Sequence, residues 1–491
     1  MSAIKCELFF ATINKAHASL DYNIHNNLIK QHEFRKQKIV VDDSLTKVQK
    51  SQMIKLLNKN HDRYKVIFNE GTKRTCENCG KECLATLYCE YCIRQILEAN
   101  FLTWTSENDD IDDLIQKCQL ESMSPNRIIE WIPYDNLQNI VCLTKGIYSA
   151  DWSDGCYDKW DSKERKLTRS KPRKVILKRL ENVENANKSW FEEAKSCLIT
   201  SNRWNSIVKY YGLTKDLNGN YFLIMKNFDA NLRNYLYRNH DRITWKERIE
   251  ITSDIIRSLL RVHNENSIHR NLHSRNILYK NYWHIGDLGF CGPADKPLDN
   301  IYGTLPYVAP EIITGKESTY ASDIYSLAML MWEISSGHPP FINYKHDDSN
   351  FAIDIINGMR PDIVQGTPLD FKELMEQCWN ADPMKRPNIN TLFDKINEMN
   401  KVYQTNKNSN KNTIHIRSVN PLVRNLESKI YNIKDLFKQS QDIVSKNKIE
   451  PYDSPMLIDD EEEINKTKRI YSEISDGNEN DDVIVKHKRM K

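Results

Sequence analysis

The chain lacks an excess of charge of either sign: 70 Lys and Arg stand against 67 Asp and Glu in 491 residues, a net +3. Composition therefore gives no push towards nucleic acid or an anionic membrane surface, and partners have to be argued from sites. No apolar run approaches the roughly 18–20 residues that a membrane-spanning helix needs. The opening Met1-Ser2-Ala3-Ile4-Lys5-Cys6-Glu7 puts charges where a signal peptide needs its apolar core. Also missing is the pairing logic of a disulfide framework, since five of the 12 cysteines lie between Cys76 and Cys92 and the rest are scattered. These absences argue against a secreted or spanning protein and lead to the expectation of an intracellular one, cytoplasmic, with the basic end Lys486 to Lys491 leaving a nuclear address open.

What is present is a hydrophobic content of 40%, enough for a core across the middle of the chain. Leu20, Ile24 and Leu28 recur at four-residue spacing, and Ser44 precedes Leu45, Val48, Met53, Leu56 and Leu57, so the first 75 residues read as an amphipathic helical hairpin. Cys76-Glu77-Asn78-Cys79 and Cys89-Glu90-Tyr91-Cys92 are two C-x-x-C knuckles, each able to point both thiolates at one ion. Four sulfurs make the closed tetrahedral site typical of structural zinc, with Gly80 helping the backbone reverse and Cys83 as a spare ligand. A redox pair or a free-thiol turn is the blander reading, and neither explains two pairs so close together. Residues 93–133 read as a helical linker with apolar points at Trp104, Ile111, Leu114 and Ile115. From about residue 401 the chain is rich in Asn, Lys, Ser and Glu, with the acidic run Asp459 to Glu463, and is expected to be a disordered tail because it cannot bury enough apolar surface to offset its ordering entropy.

Between these flanks, motifs follow one another in a fixed order. Val175-Ile176-Leu177-Lys178 is an apolar strand ending in a lysine, and Glu193 lies in the helical stretch Trp190-Phe191-Glu192-Glu193-Ala194-Lys195. Leu223-Ile224-Met225-Lys226-Asn227-Phe228 is a second apolar strand. Then come His269-Arg270-Asn271-Leu272-His273-Ser274-Arg275-Asn276, Asp287-Leu288-Gly289, Gly303-Thr304-Leu305-Pro306-Tyr307 and Ala309-Pro310-Glu311. Asp323 opens the apolar helix Ile324 to Ile334, and Arg386 sits in Asp382-Pro383-Met384-Lys385-Arg386-Pro387. Any one of these is weak alone, but together and in this order they resemble a protein kinase, whose catalytic loop reads H-R-D-x-x-x-x-N and whose magnesium turn begins with aspartate.

The chain resembles the tyrosine-kinase-like branch, and within it the expanded kinase family of mycorrhizal fungi, in which a short cysteine cluster and a phrase like Trp131-Ile132-Pro133-Tyr134-Asp135 precede the kinase domain. The resemblance implies an α+β, bilobal protein kinase fold over residues 134–400, with a small β-rich lobe and a large helical one, after a helical region (1–75), a zinc knuckle (76–92) and the linker. It implies that Lys178 reaches the phosphates of ATP and pairs with Glu193, that Met225 guards the adenine's back pocket, and that Asn276 and Asp287 hold Mg2+. His269, Arg270 and Asp323 would brace the catalytic loop, Glu311 would pair with Arg386, and Tyr302 and Thr304 would be the available phosphosites. Residues Trp152 to Lys174 interrupt the small lobe as a charged hairpin insertion.

Two departures bear on activity. Asn271 occupies the place of the catalytic aspartate, and an amide has the carboxylate's shape without its basicity. The loop that should cover the phosphates with glycines reads Leu143-Thr144-Lys145-Gly146-Ile147-Tyr148-Ser149-Ala150-Asp151-Trp152 and keeps only Gly146. General base catalysis is worth about 10²–10⁴-fold. The expectation is therefore a pseudokinase that binds ATP weakly and serves as scaffold or allosteric partner of other proteins. The alternative is a low-activity kinase acting on Ser/Thr or Tyr of protein substrates, with no nucleic acid or membrane involved.

Overall fold

A computed structural model of the chain describes residues 24–180, 189–293, 302–344, 348–405 and 431–432, together with Thr12, Ala16 and Leu20. The described residues divide into two compact units, one ending at Phe228 and the other beginning at Asp229. Residues 459–463 and 486–491, read above as acidic and basic parts of a disordered tail, lie outside the described residues.

The first unit opens with α1 (Leu28–Val40), whose start is fixed by the Asn27 side chain accepting the Lys30 N–H at 2.9 Å. The periodicity through Leu20, Ile24 and Leu28 is thus not one helix: Ile24 lies in a turn and is 65% exposed. Helix α2 (Lys47–Phe68) is started by Thr46 through a capping box with Gln49, not by Ser44. The two helices form the expected hairpin around Ile39, Leu45, Met53 and Leu57. A small hairpin of β1 (Arg74–Thr75) and β2 (Glu82–Cys83) leads into α3 (Glu90–Ala99) and α4 (Asp109–Leu120). Contrary to the continuous helical reading of residues 93–131, the chain is broken at Trp104, and Glu130–Trp131 is a strand, β3.

That strand belongs to the main sheet, ahead of Tyr134. The sheet orders β3, β9 (Tyr210–Lys215), β10 (Tyr221–Lys226), β8 (Arg173–Arg179), β5 (Ile147–Trp152) and β4 (Leu137–Thr144), with β3 parallel to β9 and the other pairs antiparallel. Gly212 permits the β3 contact, because a Cβ there would lie 1.7 Å from the Glu130 carbonyl oxygen. Trp152, Val175, Leu177, Tyr211 and Ile224 fill the core beneath the sheet. The insertion forms the hairpin β6 (Tyr157–Asp161) and β7 (Lys166–Arg169) as expected. It is more than a tip, since Tyr157, Trp160 and Leu167 pack against Ala85, Tyr88, Ile93 and Leu97 of the cysteine-bearing module. Helix α5 (Ser189–Arg203) completes the unit, packed against α4.

The second unit is mainly helical. Helix α6 (Leu232–Asn239) follows β11 (Ala230–Asn231), and α7 (Trp245–Asn264), with a Thr244–Glu247 capping box, is followed by β12 (Ser267–Ile268) and the hairpin β13 (Ile277–Lys280) and β14 (Tyr282–Ile285). After β15 (Gly292–Pro293) and β16 (Tyr302–Gly303) come the short α8 (Pro310–Ile313) and α9 (Tyr320–Ser336), which is buried from Ser322 to its end. Helix α11 (Leu369–Cys378) packs against α9, α10 (Asp348–Ile356) against α8, and α12 (Ile389–Thr405) against α7, α12 running past the point where a tail was expected to start. Tyr431–Asn432 forms β17, antiparallel to β16.

Candidate functional site

In the second unit, two pairs of strands hold the loop His269 to Asn276. Strand β12 enters it and pairs with β15, while β13 leaves it and pairs with β14, so that Asp287 comes back beside the loop two residues after Ile285. Both Arg270 (φ 66°) and Asp287 (φ 55°, ψ 63°) adopt left-handed backbone conformations that ordinary residues avoid, as is common where a site over-determines its geometry.

Asp323, at the start of α9, is the brace. Its carboxylate accepts the backbone N–H groups of His269 at 2.8 Å and Arg270 at 2.9 Å, and meets His263 Nε2 at 2.9 Å. Burial pushes its carboxyl up, but the His263 contact and the neighbouring imidazoles outweigh this and hold it below the ordinary range. His269 donates from Nε2 to the Gly286 carbonyl at 3.0 Å, and its Nδ1 accepts the Asn271 N–H at 3.3 Å, which ties the loop to the segment carrying Asp287. Burial keeps both His269 and His273 neutral, lowering His273 to about 3.

Asn271, Asn276 and Asp287 converge. Asn276 donates to the Asn271 carbonyl at 2.9 Å and to Asp287 Oδ2 at 3.3 Å, and Asn271 donates from Nδ2 to the same oxygen at 3.4 Å. With its nitrogen committed to a carboxylate, Asn271 turns Oδ1 away; that atom is buried and has no hydrogen-bond partner among the described residues. Asn271 also lines a small pocket, together with Arg270, His273, Thr304, Tyr307 and Asp323. Thr304, read above as a phosphosite, is only 7% exposed there, and its hydroxyl likewise lacks a partner among the described residues. The other candidate, Tyr302, lies in β16 with its side chain outside the described residues.

Glu311 and Arg386 meet as a buried two-pronged pair at 2.6 and 2.8 Å. A second buried network had not been expected. Arg233 on α6 donates to Glu333 at 2.7 Å, to Ser274 at 3.0 Å and to the Tyr307 hydroxyl at 2.7 Å, and Tyr307 in turn donates to Glu333. Its signal was Glu333, an acid inside an otherwise apolar helix, which demands a cation across from it.

The remaining candidates lie in the first unit. Lys178 sits in β8 opposite Leu223 and Ile147, and Met225 lies in β10 opposite Ile176. Glu193 falls within α5, its side chain outside the described residues. Gly146 occupies a two-residue turn, with Thr144 paired to Ile147, φ 77° at the glycine, and the Arg179 N–H donating to its carbonyl at 2.7 Å. A turn this tight has no arch of backbone N–H groups with which to wrap phosphates.

The four cysteines of the two knuckles come together, their sulfurs all within 4.8 Å of one another. Cys76 and Cys92 are 3.6 Å apart and Cys79 and Cys89 3.7 Å, close to the roughly 3.8 Å edge of a tetrahedron with zinc–sulfur bonds of about 2.3 Å. Asn78 donates to Cys92 Sγ at 3.2 Å, and Gly80, at φ 70°, closes the first knuckle onto the Cys76 carbonyl. Burial pushes the thiols up, most at Cys89 and Cys92, but at Cys76 the N–H groups of Cys79 and Asn78 outweigh it and bring the thiol down. The donor set therefore fits zinc. Cys83 is not part of it, since its thiol is turned to the Arg74 carbonyl at 3.4 Å and raised by burial.

Residues 153–396 match the protein tyrosine and serine/threonine kinase family, and the chain thus carries a protein kinase domain. It is similar to the dual specificity protein kinase zakA of Dictyostelium discoideum, with 28% identity over 216 residues, 40% of this chain and 27% of that protein. It is also similar to the human dual serine/threonine and tyrosine protein kinase, with 31% identity over 150 residues, 30% of this chain and 16% of the other. The chain spans 27% or less of the length of these relatives. Among the described residues no helix is long and apolar enough to cross a membrane.

Proposed function

We propose that this chain is a kinase-fold signalling protein of the tyrosine-kinase-like branch that binds ATP and magnesium weakly, transfers phosphate poorly or not at all, and acts as a scaffold or allosteric partner of other proteins. The observation that carries the reading is the orientation of Asn271. Its amide nitrogen serves the Asp287 carboxylate, and its non-basic oxygen is buried without a hydrogen-bond partner among the described residues, at the position where a substrate hydroxyl would need a proton acceptor. The two-residue turn at Gly146 supports weak phosphate binding for the reason given above. Zinc held by Cys76, Cys79, Cys89 and Cys92 staples the module that these cysteines build.

A second reading, a slow kinase acting on protein hydroxyls, draws on Asn276 and Asp287, which meet beside the loop, and on the unpartnered Oδ1 of Asn271, an oxygen able to accept a hydrogen bond from a hydroxyl. Phosphoryl transfer depends mostly on positioning and electrostatics. Purified chain with ATP and Mg2+ separates the two when assayed beside Asp287→Ala. Phosphate transfer by the unaltered chain above that of Asp287→Ala removes the scaffold reading.

A further inference from the structure

The end of α5 is held by a knot that no kinase motif accounts for. Asn205, two residues past the helix, offers one amide oxygen to two guanidinium groups, those of Arg63 on α2 and Arg127 in the segment before β3. Arg127 also donates to the Ser201 carbonyl at 2.8 Å, capping the negative end of the helix with a cation. Asn205 donates in turn to Asn60 at 3.3 Å, and the neighbouring Trp204, 1% exposed, packs on Phe68 with ring centroids 6.2 Å apart.

Both arginines are tied back to the cysteine cluster. Beside Arg63, the buried Asp62 accepts from the Thr86 hydroxyl and the Leu87 N–H, each at 2.7 Å, in the loop between Cys83 and Cys89. On the other side, Tyr88 donates to the Met123 carbonyl at 2.6 Å and Arg94 to the Ser122 carbonyl at 3.1 Å, fixing the stretch that delivers Arg127. Two routes thus run from the knuckles to one carboxamide.

We propose that Asn205 is a positioning residue for α5, and that the cysteine-bound zinc, by fixing Arg63 and Arg127, sets the tilt of the helix backbone that carries position 193. The inference rests on the nucleotide and zinc readings above. From Arg203 back to position 193 is roughly 15 Å at about 1.5 Å per residue, so a tilt of about 10° at the knot moves the backbone there by some 2–3 Å.

The full chain is tested with Asn205→Ala and Asn205→Asp, the second keeping the oxygen and adding a negative charge between the guanidiniums. The alanine variant is expected to speed amide exchange across residues 189–203 about tenfold or more and to weaken ATP binding about fivefold or more, while the aspartate variant stays within about twofold of the parent. Stripping zinc with a chelator is expected to reproduce the exchange change of the alanine variant. Alanine and aspartate acting alike, or α5 exchange unchanged in the alanine variant, overturns the positioning role. A parent that binds no ATP sinks the nucleotide reading, and exchange alone then decides the role of Asn205. A parent without zinc, or a chelated protein with unchanged α5, overturns the metal's part while the Asn205 pair still decides the knot.

Discussion

Asn271→Asp restores the missing carboxylate, and the local geometry sets what this costs. In the parent, Asn271 Nδ2 lies 3.4 Å from Asp287 Oδ2, a donor facing an acceptor. The substitution leaves two carboxylates at that separation, and their repulsion at an effective dielectric near 20 is on the order of 4–5 kcal/mol before relaxation. Asp287 is partly exposed, and one of the pair takes up a proton instead, so that about 3 kcal/mol is the ceiling. A carboxyl raised in the native state penalises stability as pH climbs above its unfolded value, near 4. Hence Asn271→Asp should be about 1–3 kcal/mol less stable than the parent at pH 7, should match it near pH 4, and should recover at pH 7 when Mg2+ neutralises the pair. Urea denaturation of both proteins with and without Mg2+ measures this, and a phosphate-transfer assay alongside should show a gain of about 10²–10⁴-fold. Equal stability of the two proteins at pH 7 without Mg2+ would refute the contact, and equal transfer rates would show that the carboxamide is not what limits the chemistry.

Cys76→Ser with Cys79→Ser should abolish zinc binding and, at a thousandfold excess of metal over Kd in the parent, remove about 4 kcal/mol from the first unit; metal analysis finding no zinc in the parent ends that idea. Arg386→Met strands the buried Glu311 carboxylate and the carbonyls of Ala321 and Asn380, and should cost about 3–5 kcal/mol in a denaturation experiment, a loss under 1 counting against the pair. Gly212→Ala drives a methyl into the Glu130 carbonyl and should cost about 1–3 kcal/mol or more by displacing β3, seen as lost amide protection at Ile132, which donates to Leu213 at 2.9 Å. Acid should weaken the protein: burial lowers His61 and His240 to about 4 and His273 to about 3, so the stability they contribute is complete above pH 6.5 and drains away as pH falls towards those values. Glu130, raised by burial to about 7, works the other way between 4.5 and 7, one group against three, so urea midpoints that stay flat or rise from pH 6.5 to 4 would contradict these environments.

The second unit's site was legible because its residues are close in sequence or tied to rigid spacing: the loop, Asp287 and the Asp323 brace need only β12 to β15 and the start of α9 to bring them together. Pairs distant in the chain were legible only where a motif supplied both ends, as with Glu311 and Arg386. Arg233 with Tyr307 and Glu333 was missed because nothing local links α6 to α9. Strand β3 was missed because two residues carry no periodicity, and its partner β9 lies about eighty residues on, beside the one glycine that admits it. The false helix through Ile24 shows the opposite failure: three apolar residues at helical spacing are too short a window, and the Asn27 side chain decides where winding begins.

The hairpin β6–β7 carries one more consequence. Its aromatic side chains complete the apolar face of the cysteine module, yet it lies inside the region matched to the kinase family. A fragment beginning at Tyr134 would leave Tyr157, Trp160 and Leu167 facing solvent, and a fragment ending there would leave Ala85, Tyr88 and Ile93 uncovered. Neither half is portable. Gene fusion or exon shuffling at that border would create two sticky proteins, so the knuckles and the small sheet should be expressed as one piece.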